Sequence, residues 1–206
     1  MAEIKLNKTE LKSQQMLMDQ LSKYLPTLQL KKQQLQVEVN SVKNYFDELN
    51  QKMDKMKNDF LSWSILLSQR EPVDIKEFLA VEEVISLQEN IAGVEVPFFD
   101  KIIFTDREYS SFSTPLWFDK AIESLKELIT VREQMRITEI RQQLLEEELR
   151  QTNIKVNLFE KRLIPRCKNN IKKIKIFLGD QEIASICNAK IAKDKLKRKE
   201  LTAEAV

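Results

Sequence analysis

Histidine is absent from this chain. That removes the commonest general base and a principal transition-metal ligand. Only 2 glycines and 5 prolines are present in 206 residues. A compact β or α/β domain needs more turns than these supply, so long helices are the economical reading. The two glycines, Gly93 and Gly179, stand alone, which excludes a phosphate-cradling loop of the P-loop type. There are two cysteines, Cys167 and Cys187. On one continuous helix they lie about 30 Å apart, too far for a disulfide, and they read as buried or half-buried thiols suited to a reducing compartment. No run approaches the roughly 20 apolar residues that span a bilayer, and the opening MAEIKLNKTEL lacks the apolar core of a signal peptide. The expectation is a cytoplasmic chain without direct membrane insertion.

Charge is abundant, with 32% charged residues against 7% aromatic, a balance that fits slender solvated helices. The net charge is only +2, but it is unevenly placed. Residues 71–120 hold 11 acidic and 4 basic side chains, and residues 161–199 hold 13 basic and 3 acidic. Such polarity argues for at least two partner surfaces, although a charge run is often just a solvated face. Glu82 with Glu83, and the run Glu146 to Glu148, sit in charge-rich segments without a pocket in prospect. No serine has a histidine to activate it. The reading is a non-enzyme with no catalytic, cofactor-binding or metal-binding residues.

The strongest pattern lies in the N-terminal third. Met18, Leu21, Leu25, Leu28, Lys32, Leu35, Val39, Val42, Phe46, Leu49, Met53, Met56, Phe60, Trp63 and Leu67 follow one another at alternating steps of three and four. Only Lys32 is not apolar, and a seam held so long predicts a coiled coil. A second helix is expected from STPLWFDKAIESLKEL, capped by Ser113 or Thr114 with Pro115 in its first turn. Its seam starts at Phe118, Ile122, Leu125 and Ile129 and resumes in another phase at Leu145, Leu149, Thr152, Val156, Phe159 and Leu163. An antiparallel hairpin of these helices is the simplest architecture, with a parallel homodimer of the first as the alternative.

Between the helices the texture changes to β-branched clusters at 84–87 and 94–104, punctuated by ENIAGVEVP with Asn90 and Gly93 as turn residues. A short helix over 75–79 and a two-stranded hairpin are predicted. Two strands alone are marginal, so they should lie on the helix pair or on a partner. The fold class is therefore mainly α: a long antiparallel two-helix coiled-coil hairpin with a small middle tip containing a short β-hairpin. The divisions are an N-terminal coiled-coil helix over 5–70, the tip over 71–114, a C-terminal coiled-coil helix over 115–200 and a disordered tail over 201–206. If the helices pair so that Leu67 meets residues 116–118, Pro26 and Pro165 lie within about two turns of one another, which predicts a shared shaft bend.

LPTLQLKKQQLQ, NIAGVEVPFF and VNLFEKRLIPRCKNNIKKIKIFLGDQEIASICNAKIAKDK together resemble the D subunit of V-type and A-type rotary ATPases, the bacterial form above all. The resemblance implies a central rotor shaft carrying torque between a catalytic hexamer and a membrane ion ring, peripheral to the cytoplasmic membrane. Its implied partners are the catalytic and non-catalytic subunits of the hexamer, a small F subunit and a connector to the membrane ring. On that basis Arg162, Arg166, Lys172, Lys175, Lys190, Lys193 and Lys197 are candidate hexamer contacts. Phe98, Phe99, Phe104 and Tyr109 are candidate contacts for the central-stalk partner. The residues alone leave open a free-standing coiled-coil adaptor, and nucleic-acid binding through 161–199, which little aromatic interleaving favours.

Overall fold

The computed structural model describes residues 5–64, 75–105, 114–115 and 117–203. Helix α1 runs Lys8–Trp63, strand β1 Val81–Ile91 and strand β2 Val94–Phe104. Helix α2 runs Phe118–Leu158, and helix α3, Ile164–Ala203, follows it through a π-helical turn, Phe159–Leu163. A 3-10 turn at Ile75–Phe78 stands where a short helix is expected. The mainly α architecture with a small two-stranded antiparallel sheet in the middle is as the sequence predicts. Two compact units partition the chain, one of Met1–Leu30 with Asn153–Val206 and one of Lys31–Thr152.

Helix α1 begins at a side-chain cap: Asn7 Oδ1 accepts the Glu10 N–H at 2.7 Å, satisfying an amide with no partner inside the helix. Every seam position from Met18 to Phe60 is buried or half-buried. The side chain of Trp63, and Leu67 altogether, lie outside the described residues. On α2 the predicted change of phase is present and falls early, where three successive steps of three, Ile122 to Leu125 to Leu128 to Val131, break the alternation of three and four. Positions 118, 122, 125, 128, 131, 135, 138, 142, 145, 149, 152 and 156 form one unbroken buried or half-buried row. Thr138 and Gln142 occupy seam positions between the two stretches legible in the sequence, and their polarity hides the row there. Thr138 is tolerated because its hydroxyl donates to the Gln134 carbonyl at 2.7 Å.

Helix α2 starts later than STPL implies. Pro115 precedes the helix, and its carbonyl accepts the Phe118 N–H at 3.0 Å. Phe118 is fully buried and meets Phe78 edge-on, with ring centroids 5.7 Å apart, an arrangement the ring quadrupoles favour. Ile75, Trp117 and Ile122 complete this small core.

In the Lys31–Thr152 unit α1 and α2 run antiparallel. Leu49, Met53 and Met56 pack with Val131, Leu128 and Met135 in one cluster. Lys31 and Lys43 of α1 reach Glu148 and Glu146 of α2 at 2.7 and 2.8 Å. Hydrogen bonds from Lys43 and Gln142 hold the Glu146 carboxyl below its ordinary value. This pair therefore stabilises the fold above the ordinary carboxylate range and loses its effect as pH falls. With both partners about half exposed, its contribution is small.

Strands β1 and β2 join through Ala92 and Gly93, whose φ values of 51° and 80° make the tight turn that matches strand twist. The Asn90 side-chain oxygen accepts the Gly93 N–H at 3.0 Å. β1 starts three residues earlier than the β-branched cluster predicts, with register shifts between Val81 and Glu83 and between Ile85 and Ser86. The hairpin is not left alone. Val96 is fully buried in a cluster with Leu35, Val39, Val42 and Leu145, and Ile91, Ala92 and Val94 pack around it.

In the unit made by the two ends of the chain, Leu21, Val156, Cys167, Ile171 and Ile174 are buried. Asn170 is buried among them and donates from Nδ2 to Gln14 Oε1 at 3.2 Å. A polar pair in an apolar seam favours one register over its neighbours. Burial also pushes the Cys167 thiol up, against the opposing charge of Arg166. Cys187 is exposed, which corrects the expectation that both thiols are at least half-buried. Cys187 should therefore take up a water-soluble maleimide rapidly, and Cys167 at least about 100-fold more slowly until the chain is unfolded. Mass analysis of singly labelled protein checks this, and equal labelling would contradict the burial.

Candidate partner-binding surfaces

The basic candidates lie on one helical segment. Arg162 belongs to the π-turn, and Arg166, Lys172, Lys175, Lys190 and Lys193 belong to α3. All six are exposed, and none has an ion pair among the described residues. Lys197 is in α3, with its side chain outside the described residues. From Asp180 to Leu196 every residue is exposed, including Ile183, Ile186 and Ile191 at 63%, 59% and 53%. No side chain of this stretch is buried within the chain, so its apolar and basic groups face outward together.

Pro165 explains the π-turn. The ring carries no N–H, and it crowds the carbonyl of residue i−4. One extra residue widens the preceding turn, and the Ile164 N–H reaches back five residues to the Phe159 carbonyl. Burial follows the insertion: Cys167, Asn170, Ile171 and Ile174 are inward, whereas Arg166 and Lys173 are exposed. Pro26 is enclosed in regular α-helix and exposed. The hydrogen bond between Gln14 and Asn170 sets Pro26 roughly level with the start of the π-turn. The turn thus supplies an irregularity, of the kind that bends helices, on the length of helix facing Pro26.

The aromatic candidates divide. Phe98 is 49% exposed, and the Arg141 guanidinium stands 5.7 Å from its ring centroid. Phe99 and Phe104 are half-buried, and Lys126 Nζ lies 5.3 Å from the Phe104 centroid. Tyr109 lies outside the described residues. Both cations come from α2, so cation–π contacts help to hold β2 against it.

Between β2 and the two helices is a cavity of about 410 Å³, lined on α1 by Glu38, Ser41, Val42 and Tyr45 and on α2 by Gln134, Ile137, Thr138 and Arg141. Pro97, Phe98, Phe99 and Asp100 form its remaining side. Arg141 is the residue that sequence reasoning missed. One guanidinium nitrogen meets Glu89 of β1 at 2.9 Å with the side chain only 14% exposed. Its Nε is buried without a hydrogen-bond partner, a state that costs about 1–3 kcal/mol. The only clue in the sequence is an arginine one residue from a seam of apolar side chains.

No group of acidic or cysteine side chains among the described residues is arranged to hold a metal ion. No described helix is long and apolar enough to cross a membrane. A family profile for the ATP synthase D subunit matches residues 10–194. The chain belongs to that family.

The relatives of this family member are similar along nearly their whole length. The V-type ATP synthase D subunit of Borreliella burgdorferi is 42% identical over 199 residues, spanning 97% of this chain and 98% of its own. The V-type ATP synthase D subunits of Chlamydia trachomatis and Chlamydia muridarum are 37% and 38% identical, each spanning 96% of this chain and 98% of its own. The match to the family includes the basic part of α3 as far as Asp194 and the whole β-hairpin.

Proposed function

We propose that this chain is the central rotor shaft of a V-type or A-type rotary ATPase, transmitting torque between a catalytic hexamer and a membrane ion ring while performing no chemistry itself. Membership of the ATP synthase D family along nearly the whole chain carries the reading. The physical features suit it: sealed apolar seams resist unwinding, and surface groups rather than a reactive site are displayed. The basic length formed by the π-turn and α3 is the part that enters the hexamer, meeting its catalytic and non-catalytic subunits through Arg162, Arg166, Lys172, Lys175, Lys190, Lys193 and Lys197. The hairpin face with Phe98, Phe99 and Phe104, together with Tyr109 farther along the chain, meets the small F subunit, and a connector joins the assembly to the membrane ring on its cytoplasmic side.

A bend at Pro26 and Pro165 supplies the asymmetry a shaft needs. Different faces then meet the three nucleotide sites and bias each toward a different conformation by differential contact. Reconstitution tests the reading. Purified hexamer from the same organism should bind this chain together with the F subunit in one stable complex, and a bead attached to the chain should rotate when ATP is supplied. A chain that assembles with neither partner, yet forms its own stable oligomer, would instead support a free-standing adaptor.

A further inference from the structure

We infer that Arg166 and Lys173 are positioning residues: the cost of burying their charges keeps the π-turn in place and thereby decides which face of α3 is displayed. This deepens the shaft reading, and rests on it, only in what that face meets. The π-turn inserts one residue, and the Ile164 N–H reaches back to the Phe159 carbonyl. Taken back into regular α-helix, the insertion would carry each later side chain into the place its successor now holds. Leu163, Arg166, Lys173 and Phe177 would then stand at the sites of Ile164, Cys167, Ile174 and Leu178, all of them buried or half-buried. By the alignment of Gln14 with Asn170, Arg166 would come level with Met18 and Lys173 with Leu11. Two cations would be desolvated beside apolar side chains, while Cys167, Ile171 and Ile174 turned to water. Asn169 would bring an amide to the place of Asn170, so the contact with Gln14, which resists longer slips, does not choose between the two arrangements.

Pro165 does not settle the matter alone. Its ring favours a wider turn, yet Pro26 is enclosed in regular α-helix. The two prolines differ in the seams around them. Leu21, Leu25, Leu28, Lys32 and Leu35 keep the alternation of three and four past Pro26, so an insertion there would throw the row out of line. Past Pro165 the same alternation, continued from Val156 through Phe159 and Leu163, would call Arg166 and Lys173 inward. The inserted residue brings Cys167 and Ile174 inward instead.

Maleimide labelling of the free full chain tests the inference without any partner, because Cys167 is buried and Cys187, exposed, serves as the reference. Pro165→Ala alone should leave Cys167 labelling within about threefold of its unaltered rate. Adding Arg166→Leu and Lys173→Leu completes the alternative seam, and Cys167 should then label on the order of tenfold or more faster, with helical circular dichroism and melting temperature retained. Loss of the Arg166 charge would by itself slow the reaction, since that cation favours the thiolate, so faster labelling reports an outward turn of Cys167. The charge-conserving pair Arg166→Lys with Lys173→Arg, in the same Pro165→Ala background, should restore protection. Cys167 labelling as fast in Pro165→Ala as in the triple variant would overturn the inference and assign the turn to the proline. Cys167 still protected in the triple variant would overturn it too, since neither charge would then hold the turn. Both results leave the shaft reading intact, which fails separately if purified hexamer does not bind the unaltered chain.

Discussion

A chain ending at Gly179 keeps its melting temperature to within a few degrees and loses its hold on the catalytic hexamer, with affinity falling on the order of a hundredfold. The first half of that result follows from burial. The last buried residue of the terminal unit is Ile174, Leu178 and Gly179 are half-buried, and each residue from Asp180 to Leu196 is exposed. Removing them takes away no packed side chain, only helix that lacks tertiary support. The second half follows from the composition of the segment. Six basic residues, Lys190, Lys193, Lys195, Lys197, Arg198 and Lys199, are lost together with the outward isoleucines 183, 186 and 191. Apolar groups add contact area, while basic groups steer and orient the approach. Binding to purified hexamer at low and high salt, with thermal melting of the free chain, provides the measurements. Equal hexamer affinity, hydrolysis and torque with and without the segment would show that it is a solvated tail.

Val96→Asp detaches the β-hairpin while sparing the helix pair, whereas Leu35→Ala weakens both. Val96 is the one residue of the two strands that is fully buried, and it lies against Leu35, Val39, Val42 and Leu145. A carboxylate there is desolvated with no cation among the members of that cluster, a penalty of several kcal/mol. Releasing the hairpin avoids the penalty, and a free two-stranded hairpin has little stability of its own. Amide exchange within 81–104 should therefore accelerate by on the order of a hundredfold or more, with helical circular dichroism nearly unchanged. Leu35→Ala leaves a space where hairpin and helices meet, at a cost of about 2–5 kcal/mol. It should lower the melting temperature of the whole Lys31–Thr152 unit. Unchanged hairpin exchange in Val96→Asp would mean that Val96 does not anchor the strands.

Much of this architecture is written in the apolar spacing. Helix α1 offers an almost uninterrupted seam, and its burial follows position by position. The hairpin is legible from Asn90, Gly93 and the β-branched residues of β2, because a tight turn demands those residue types. Helix α2 is less readable for a specific reason. Thr138 and Gln142 in its seam carry polar atoms that a hydropathy pattern counts as surface, although Thr138 satisfies its hydroxyl within its own helix. The π-turn leaves a trace in two consecutive four-residue steps, Phe159 to Leu163 to Cys167, beside a proline.

The interaction surfaces are legible only by sign and type. A basic stretch and an aromatic cluster can be counted in a sequence. The isolation of α3 beyond Gly179 is a matter of helix lengths, since Gln14, near the start of α1, already meets Asn170. The pairing of Arg141 with Glu89 and Phe98 is not, because it depends on how the hairpin lies on α2 rather than on spacing along the chain. Exposure of Cys187 likewise depends on where the companion helix stops.

The residue inserted ahead of Pro165 also fixes an azimuth. One position on an α-helix corresponds to about 100° of rotation. Every side chain from Arg166 onward therefore points about a quarter-turn away from where an uninterrupted helix would aim it. Cys167 and Ile174 reach the interior by that rotation, and Lys172, Lys175, Lys190 and Lys193 inherit it. Proline and insertion consequently act as a linked pair: deleting Phe159 or Leu163 from the π-turn would, with the turn itself retained, keep the composition of the basic surface while turning it to face another direction.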